Sequence, residues 1–190
     1  VGDVQLTPSG RSPVTESAAE MLVRLAHEHD GDLVVVAVGP LTNLAHALRL
    51  DPDLPGRVAE LVIMGGAALV PGNLSPVAEA NIINDPEAAA LVLAADWPIT
   101  LAPLDVTLEH QLDEDDRQRL LGADHPLPRA LGEILDLYYG FYLDLYGHRG
   151  CALHDPLAAA LATGGVRSEN APQVAVVVDD TDGPGRGQTV

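Results

Sequence analysis

The apolar positions of the chain form short continuous runs that alternate with longer runs spaced for one face of a helix. Continuous runs at residues 33–38 (LVVVAV) and 61–64 predict strands that are buried on both faces of a parallel sheet. A further strand is predicted at residues 99–102. Helical spacing predicts the helices that separate these strands, at residues 18–29, 41–50 and 86–95.

The second half of the chain is predicted to be mostly helical. Its helices are expected at residues 113–121, 127–146 and 155–163. A strand is predicted at residues 173–178, and the polar, glycine-rich residues 179–187 predict a hairpin turn that leads into a last strand. Because strand and helix alternate, we expect an α/β fold, with a mostly parallel open sheet and helices on both faces, in a single domain over residues 1–190.

Local signals mark where several of these helices begin. Ser17 and Glu20 have the spacing of a capping box. Asp85 precedes a proline and is expected to be the N-cap of the next helix. One of Thr42 and Asn43 is also expected to cap a helix.

Charge and composition narrow the class of partner. The 190 residues include 28 acidic and 10 basic side chains, which gives a formal net charge of −18. This charge excludes nucleic acid and an anionic membrane surface as partners, because both require clustered positive charge. No apolar run approaches the length of a membrane span. The single cysteine, Cys151, excludes an internal disulfide, so we expect a lone buried thiol and a cytoplasmic location.

Polar residues follow the predicted strands at their carboxyl ends, where open α/β sheets bind ligands. They are amides, hydroxyls, carboxylates and one imidazole, namely Thr42, Asn43, Asn73, Glu79, Asn81, Asp105, His154 and Asp155. This set contains no Lys or Arg and suits phosphate poorly. It suits a neutral polyhydroxylated ligand, and it also suits a hard cation, which prefers oxygen ligands.

Five segments of the sequence, in this order, carry a resemblance to a known family. They are VAVGPLTNLA (36–45), VIMGG (62–66), GNLSPVAEAN (72–81), NDPEAA (84–89) and HDPLA (154–158). The chain resembles the inosine-uridine-preferring nucleoside hydrolases, and GRGQTV at residues 185–190 matches a late strand of that family. The resemblance implies calcium-assisted hydrolysis of the N-glycosidic bond of ribonucleosides to free base and ribose.

The resemblance also implies roles for individual residues. Thr42 would offer its backbone carbonyl to calcium, and Asp155 would be a carboxylate ligand that also touches a ribose hydroxyl. His154 would stand near the leaving base as a candidate proton donor. The remaining positions would hold the sugar: Asn73 and Glu79 at the 5′-hydroxyl, Asn81 at the 2′,3′-diol and Met64 beneath the ring. The implied partner is a small-molecule nucleoside, and family members commonly form homodimers or homotetramers.

Structural roles compete with these functional ones. Asn73 follows a glycine and suits a turn, and Asp155 precedes a proline and suits an N-cap. Histidines are common before helices, which makes His154 the weakest of the assignments. Glu79 and Asn81 lie in a stretch with no predicted helix to cap. A purely structural role is therefore less expected for these two residues than for the others.

The sequence departs from the family pattern at its start. The family has an N-terminal aspartate cluster, D-x-D-x-x-x-D-D, that supplies calcium ligands and the general base, and this pattern does not occur here. The opening V-G-D-V-Q-L resembles the loop before the central portion of the family, and Ala80 replaces a frequent aromatic residue. We therefore expect a domain that is incomplete at both ends and inactive in isolation. The alternative is a non-catalytic remnant that binds a nucleoside or sugar weakly.

Overall fold

A computed structural model describes residues 4, 6 and 8–190 of the chain. The predicted resemblance of V-G-D-V-Q-L falls mostly on residues outside this description. The helices are α1 (Ala18–Glu28), α2 (Thr42–Leu50), α3 (Ala80–Ile83), α4 (Pro86–Leu93), α5 (Leu104–Thr107), α6 (Glu114–Leu121), α7 (Pro126–Tyr146) and α8 (His154–Ala162). The strands are β1 (Leu33–Ala37), β2 (Val58–Met64), β3 (Ile99–Ala102), β4 (Gln111–Asp113) and β5 (Gly150–Ala152).

Three parallel strands form the main sheet, in the order β1-β2-β3. Val35 of β1 is paired in register with Leu61, and Leu61 is paired with Ile99 of β3. The predicted α/β class and the parallel arrangement are confirmed. Since the strands are parallel, their carboxyl ends lie at one edge of the sheet.

Helices cover the two faces of this sheet unequally. On one face, Leu61 and Ile63 join a core that includes alanines and leucines of α1, α2 and α4. Helix α8 contacts all three strands. The prediction that β1 is buried on both faces is wrong, because Val34 and Val36 remain 40% and 37% exposed. Among the described residues β1 is the outermost strand on its side of the sheet, so its second face is only partly covered.

The described chain divides into two compact units. The larger comprises Thr15–Thr107 and His154–Val190 and contains the parallel sheet. The smaller contains Leu108–Leu153, in which β4 and β5 form an antiparallel pair beside α6 and α7. Cys151 is buried and unbridged in β5, as predicted for a lone thiol. The single domain over residues 1–190 stays a prediction.

The C-terminal segment of the larger unit turns back on itself. Gly187 donates its N–H to the Asp179 carbonyl at 2.7 Å, which confirms the predicted turn. The strand predicted at residues 173–178 is wrong, because pairing is confined to isolated bridges such as that between Val178 and Thr189. The valine run has no long partner segment among the described residues and therefore forms no ladder.

Two of the three predicted helix starts, those of α1 and α4, agree with the sequence, and that of α2 differs. Ser17 and Glu20 form the predicted capping box, and the Asp85 side chain accepts from the Ala88 N–H as an N-cap. Neither Thr42 nor Asn43 caps α2, whose N-cap is Leu41 without a side-chain bond. None of the described helices combines the length and apolarity that crossing a membrane requires.

Candidate active site

The candidate site lies at the carboxyl edge of the parallel sheet. Strand β2 ends at Met64 and is followed by Gly65 and Gly66, while α5 directly follows β3. Glu79 bonds the Gly66 N–H and Asn81 bonds the Met64 carbonyl, both at the end of β2, while His154 at the start of α8 bonds Thr107 at the end of α5. The predicted site residues Met64, Asn73, Glu79, Asn81, His154 and Asp155 all belong to the larger unit.

Glu79 is the most deeply buried acid of this group, with 2% of its surface exposed. Its carboxylate accepts three backbone N–H bonds, from Gly66 at 3.1 Å, Asn81 at 2.8 Å and Ile82 at 3.2 Å. It is the N-cap of α3, so the prediction that Glu79 has no helix to cap is wrong. The four-residue helix is too short to produce a periodic signal in the sequence.

The ionisation of Glu79 reflects this position. Burial raises its pKa, and the three N–H donors oppose that rise without cancelling it. The negative charge of Asp155 raises the pKa of Glu79 further. The arrangement concentrates negative charge at the edge of the sheet.

Asn81 and Asn73 bind the backbone around Glu79. The Asn81 Nδ2 donates to the Met64 carbonyl at 3.1 Å and approaches the Met64 sulfur at 3.3 Å. The Asn73 Oδ1 accepts from the Ala80 N–H at 2.9 Å. These bonds leave the Asn81 Oδ1 as the acceptor that a ligand hydroxyl can use, and they place the exposed Asn73 beside the start of α3.

His154 begins α8 and is held by a residue from the end of α5. Its Nδ1 lies 2.7 Å from the Oγ1 of Thr107, which is fully buried. Burial lowers the pKa of His154, and the adjacent Asp155 opposes this shift. Partial desolvation of the carboxylate raises the pKa of Asp155, although the residue is exposed.

Thr42 is connected to this group only indirectly. Its hydroxyl donates to the Asp85 carboxylate, which also caps α4. The bond joins the start of α2 to the segment that carries Glu79 and Asn81. The hydrogen bond of its side chain thus connects Thr42 to the same edge of the sheet. Its predicted role as a calcium ligand concerns a different group, the backbone carbonyl.

Besides Glu79, two further side chains fix the loop after β2, and the sequence indicates only one of these two. Asp105, a candidate ligand residue by its place after β3, instead accepts from the N–H groups of Ala68 and Leu69 at 2.9 and 2.7 Å. Thr189 both accepts from the Ala67 N–H and donates to the Ala67 carbonyl, each at 2.9 Å. No local signal marks Thr189, because its partner lies 122 positions away in the sequence.

The donor set does not complete a calcium site. Ca²⁺ takes six to eight oxygen ligands. The predicted ligands are the Thr42 backbone carbonyl and one carboxylate, that of Asp155. Both oxygens of the neighbouring Glu79 already accept backbone N–H bonds. Within residues 4, 6 and 8–190, no group of three or more His, Cys, Asp or Glu side chains is arranged to hold a metal.

Comparison with known proteins identifies the same family across the chain. The family described as "Inosine-uridine preferring nucleoside hydrolase" matches residues 1–190. The chain is 38% identical over 193 residues to "Probable uridine nucleosidase 2" of Arabidopsis thaliana, covering 100% of this chain and 58% of that protein. It is 37% identical over 150 residues to the pyrimidine-specific ribonucleoside hydrolase RihA of Citrobacter koseri, covering 78% of this chain and 48% of that protein.

Solved structures agree with these relatives. The purine-preferring ribonucleoside hydrolase from Gardnerella vaginalis superposes with a TM-score of 0.91 at 35% identity, covering 99% of this chain and 59% of that one. The plant nucleoside hydrolase PpNRh1 superposes with a TM-score of 0.90 at 32% identity, covering 99% of this chain and 58% of that one. The chain thus spans about half to three-fifths of the length of these relatives.

Proposed function

This chain belongs to the inosine-uridine preferring nucleoside hydrolase family, and we propose that it supplies the sugar-binding and leaving-group side of a site that hydrolyses ribonucleosides to base and ribose. The observation that carries the proposal is the grouping of Met64, Glu79, Asn81, His154 and Asp155 at the carboxyl edge of the sheet. These are the positions at which the sequence resembles the family.

The sugar side of the mechanism follows from charge. Cleavage of the N-glycosidic bond builds positive charge on the ribose, as in other glycoside cleavages. The carboxylates of Glu79 and Asp155 place negative charge at this edge and favour that transition state. The Asn81 Oδ1 accepts a hydrogen bond from a hydroxyl of the diol, Asn73 bonds the 5′-hydroxyl, and Met64 packs beneath the ring. These contacts orient the sugar.

The leaving-group side of the mechanism rests on His154. As the bond between C1′ and the base nitrogen breaks, the electron pair stays on that nitrogen and His154 stabilises it through a hydrogen bond or a proton. Water adds its oxygen to C1′, and its two protons are shared between the new C1′ hydroxyl and the base. Attack by this water requires a general base that removes one of its protons. None of the described residues is placed for that step.

The proposal also includes a calcium ion and a general base that activates water. Residues other than those described above would supply that base and most of the calcium ligands. We propose that Thr42 and Asp155 contribute to a calcium site whose other ligands are acidic residues of the missing D-x-D-x-x-x-D-D pattern. Because the described residues do not complete the site, we assign no step to the metal here. It follows that the 190-residue chain alone should bind calcium weakly and should not turn over nucleosides.

A non-catalytic remnant is the second candidate function. It needs neither a complete calcium site nor a water-activating base, and the described residues provide neither. In this case the same edge of the sheet would bind a nucleoside or sugar weakly, without cleaving it.

Upstream DNA and a sugar-release assay distinguish the two candidates. We expect an in-frame upstream segment that encodes the aspartate pattern. The extended protein should release reducing sugar from inosine or uridine, and a calcium chelator should abolish that release. The 190-residue chain alone should release none. An upstream sequence without the pattern would overturn the enzymatic proposal for this protein and support the remnant.

Binding can be tested on the chain itself. Saturation-transfer NMR with inosine and uridine should detect contact with the ribose protons, and Asn81→Ala should remove it. Asn84→Ala is the matched control, because Asn84 is an exposed amide at the end of the same short helix. Equal loss in both variants would contradict a specific sugar contact at Asn81.

Further properties stay proposals. The relatives are named for uridine, pyrimidine and purine nucleosides, so the assay uses both inosine and uridine. A homodimer or homotetramer is proposed, and light scattering tests it. A cytoplasmic location is proposed from the cysteine content, and fractionation of cells tests it.

A further inference from the structure

Thr107, which was not among the site residues indicated by the sequence, contacts the candidate proton donor His154. Its hydroxyl is fully buried and lies 2.7 Å from His154 Nδ1, although the two residues are 47 positions apart. Thr107 ends α5, and its backbone N–H bonds the Pro103 carbonyl. The hydroxyl is therefore fixed in position by the helix that follows β3.

The direction of this hydrogen bond follows from what else the hydroxyl can reach. Among the described residues, His154 Nδ1 is the one hydrogen-bond partner that the structure gives Thr107 Oγ1. If Nδ1 carried a proton and donated it, the hydroxyl proton would be buried without an acceptor, which is costly. A hydroxyl that donates to Nδ1 satisfies both groups. Neutral imidazole has one protonated nitrogen, so that proton is then on Nε2.

We infer that Thr107 is a positioning residue that donates to His154 Nδ1 and holds the neutral ring as the Nε2–H tautomer, oriented to donate to the leaving base. The role toward the base rests on the proposed function, whereas the tautomer is a property of the chain itself. In the described part of the chain no side chain or backbone group bonds His154 Nε2, and the half-buried ring leaves that nitrogen open to a ligand.

The tautomer can be measured by long-range ¹H–¹⁵N NMR on the ¹⁵N-labelled chain, at a pH where the imidazole is neutral. His154→Gln assigns the signals. Nδ1 should have the shift of an unprotonated nitrogen, and the Thr107 hydroxyl proton should exchange slowly and show coupling to Nδ1. Thr107→Val should remove that proton and move the two nitrogen shifts toward each other, as in a tautomer mixture. Thr107→Ser should restore the original pattern.

Thr163→Val is the matched control, because it removes a threonine hydroxyl that bonds the Ala159 carbonyl in the larger unit. It should leave the His154 shifts unchanged. A proton directly bonded to Nδ1 in the neutral wild-type ring would overturn the inference, as would shifts that move equally in both valine variants. Since these readouts need no turnover, a failed sugar-release assay would leave them intact and would count against the proposed function alone.

Discussion

Glu79 shows how one residue serves structure and chemistry together. Its carboxylate caps α3 and binds the Gly66 N–H, so it fixes the loop after β2 relative to the segment that carries Asn81. Water is nevertheless excluded from it, and its pKa is raised. Charge that is expensive to bury becomes favourable when positive charge develops nearby, which is the condition at a ribose that loses its base.

The pH dependence of stability should report this burial. The unfolded chain ionises Glu79 near its ordinary pKa of 4.5, while the folded chain retains the proton to higher pH. As the pH rises above 4.5, the unfolded state therefore loses its proton first, and the wild type should lose stability relative to Glu79→Gln. Each unit of pKa difference corresponds to about 1.4 kcal/mol. Urea unfolding of both proteins between about pH 3.5 and 7 measures the difference.

Glu87→Gln is the control for this measurement, and its effect should have the opposite sign. The exposed Glu87 accepts a side-chain bond from Arg186 at 2.6 Å, and this bond lowers the pKa of the carboxyl. The resulting stabilisation is present above the unfolded pKa of 4.5 and is lost as the pH falls through the lower folded pKa. The wild type should therefore gain stability relative to Glu87→Gln as the pH rises. The same trend in both variants would contradict the assigned burial of Glu79.

At the scale of elements, the segments that could be predicted are those specified by local sequence. The Ser17 capping box and the Asp85 N-cap each involve residues three positions apart, and the continuous run of β2 marks a buried strand. Strands β4 and β5 have three residues each and are separated in the sequence by α6 and α7, so no local pattern predicts their pairing. The contacts of Thr107 and Thr189 span 47 and 122 positions and depend on the completed fold.

Asp85, the N-cap of α4, connects α4 to α2. The carboxylate caps α4 at the Ala88 N–H and also accepts from the Thr42 hydroxyl at the start of α2. Asp85→Ala removes both bonds and should lower the free energy of unfolding by about 2 kcal/mol. Asp85→Asn keeps an acceptor and should cost less. Urea unfolding measures both variants, and equal losses would show that the carbonyl acceptor is not what stabilises the start of the helix.

The C-terminal turn provides a second prediction at this scale. Gly187 has φ +83°, and a Cβ at this position would lie 2.7 Å from the Ile83 Cβ. Gly164 has a similar φ of +69°, with nothing within 4 Å of the added atom. Gly164→Ala therefore carries only the backbone strain, about 1 kcal/mol. Gly187→Ala should cost about 1 to 3 kcal/mol more because of the clash. Equal thermal shifts in the two variants would contradict the close packing of the turn on α3.

At the scale of the whole molecule, the dominant property is the net charge of −18. The charge disfavours polyanionic partners, while a nucleoside is uncharged and meets no such barrier. Most of the 28 acids are not site candidates, since capping residues such as Asp113 and ion-paired residues such as Asp136 use their carboxylates structurally. The candidate site depends on a few acids, whereas the repulsion depends on all of them.

That repulsion predicts how salt affects stability. A large net charge destabilises the compact state, and raising the ionic strength from about 0.01 to 0.15 M shortens the Debye length from about 30 to 8 Å. The midpoint of thermal unfolding should therefore rise with NaCl at neutral pH. Near the isoelectric point of about 4.4 the net charge vanishes, and the same salt should produce little rise. An equal rise at both pH values would assign the effect to exclusion of salt from the protein surface and would contradict charge repulsion as its cause.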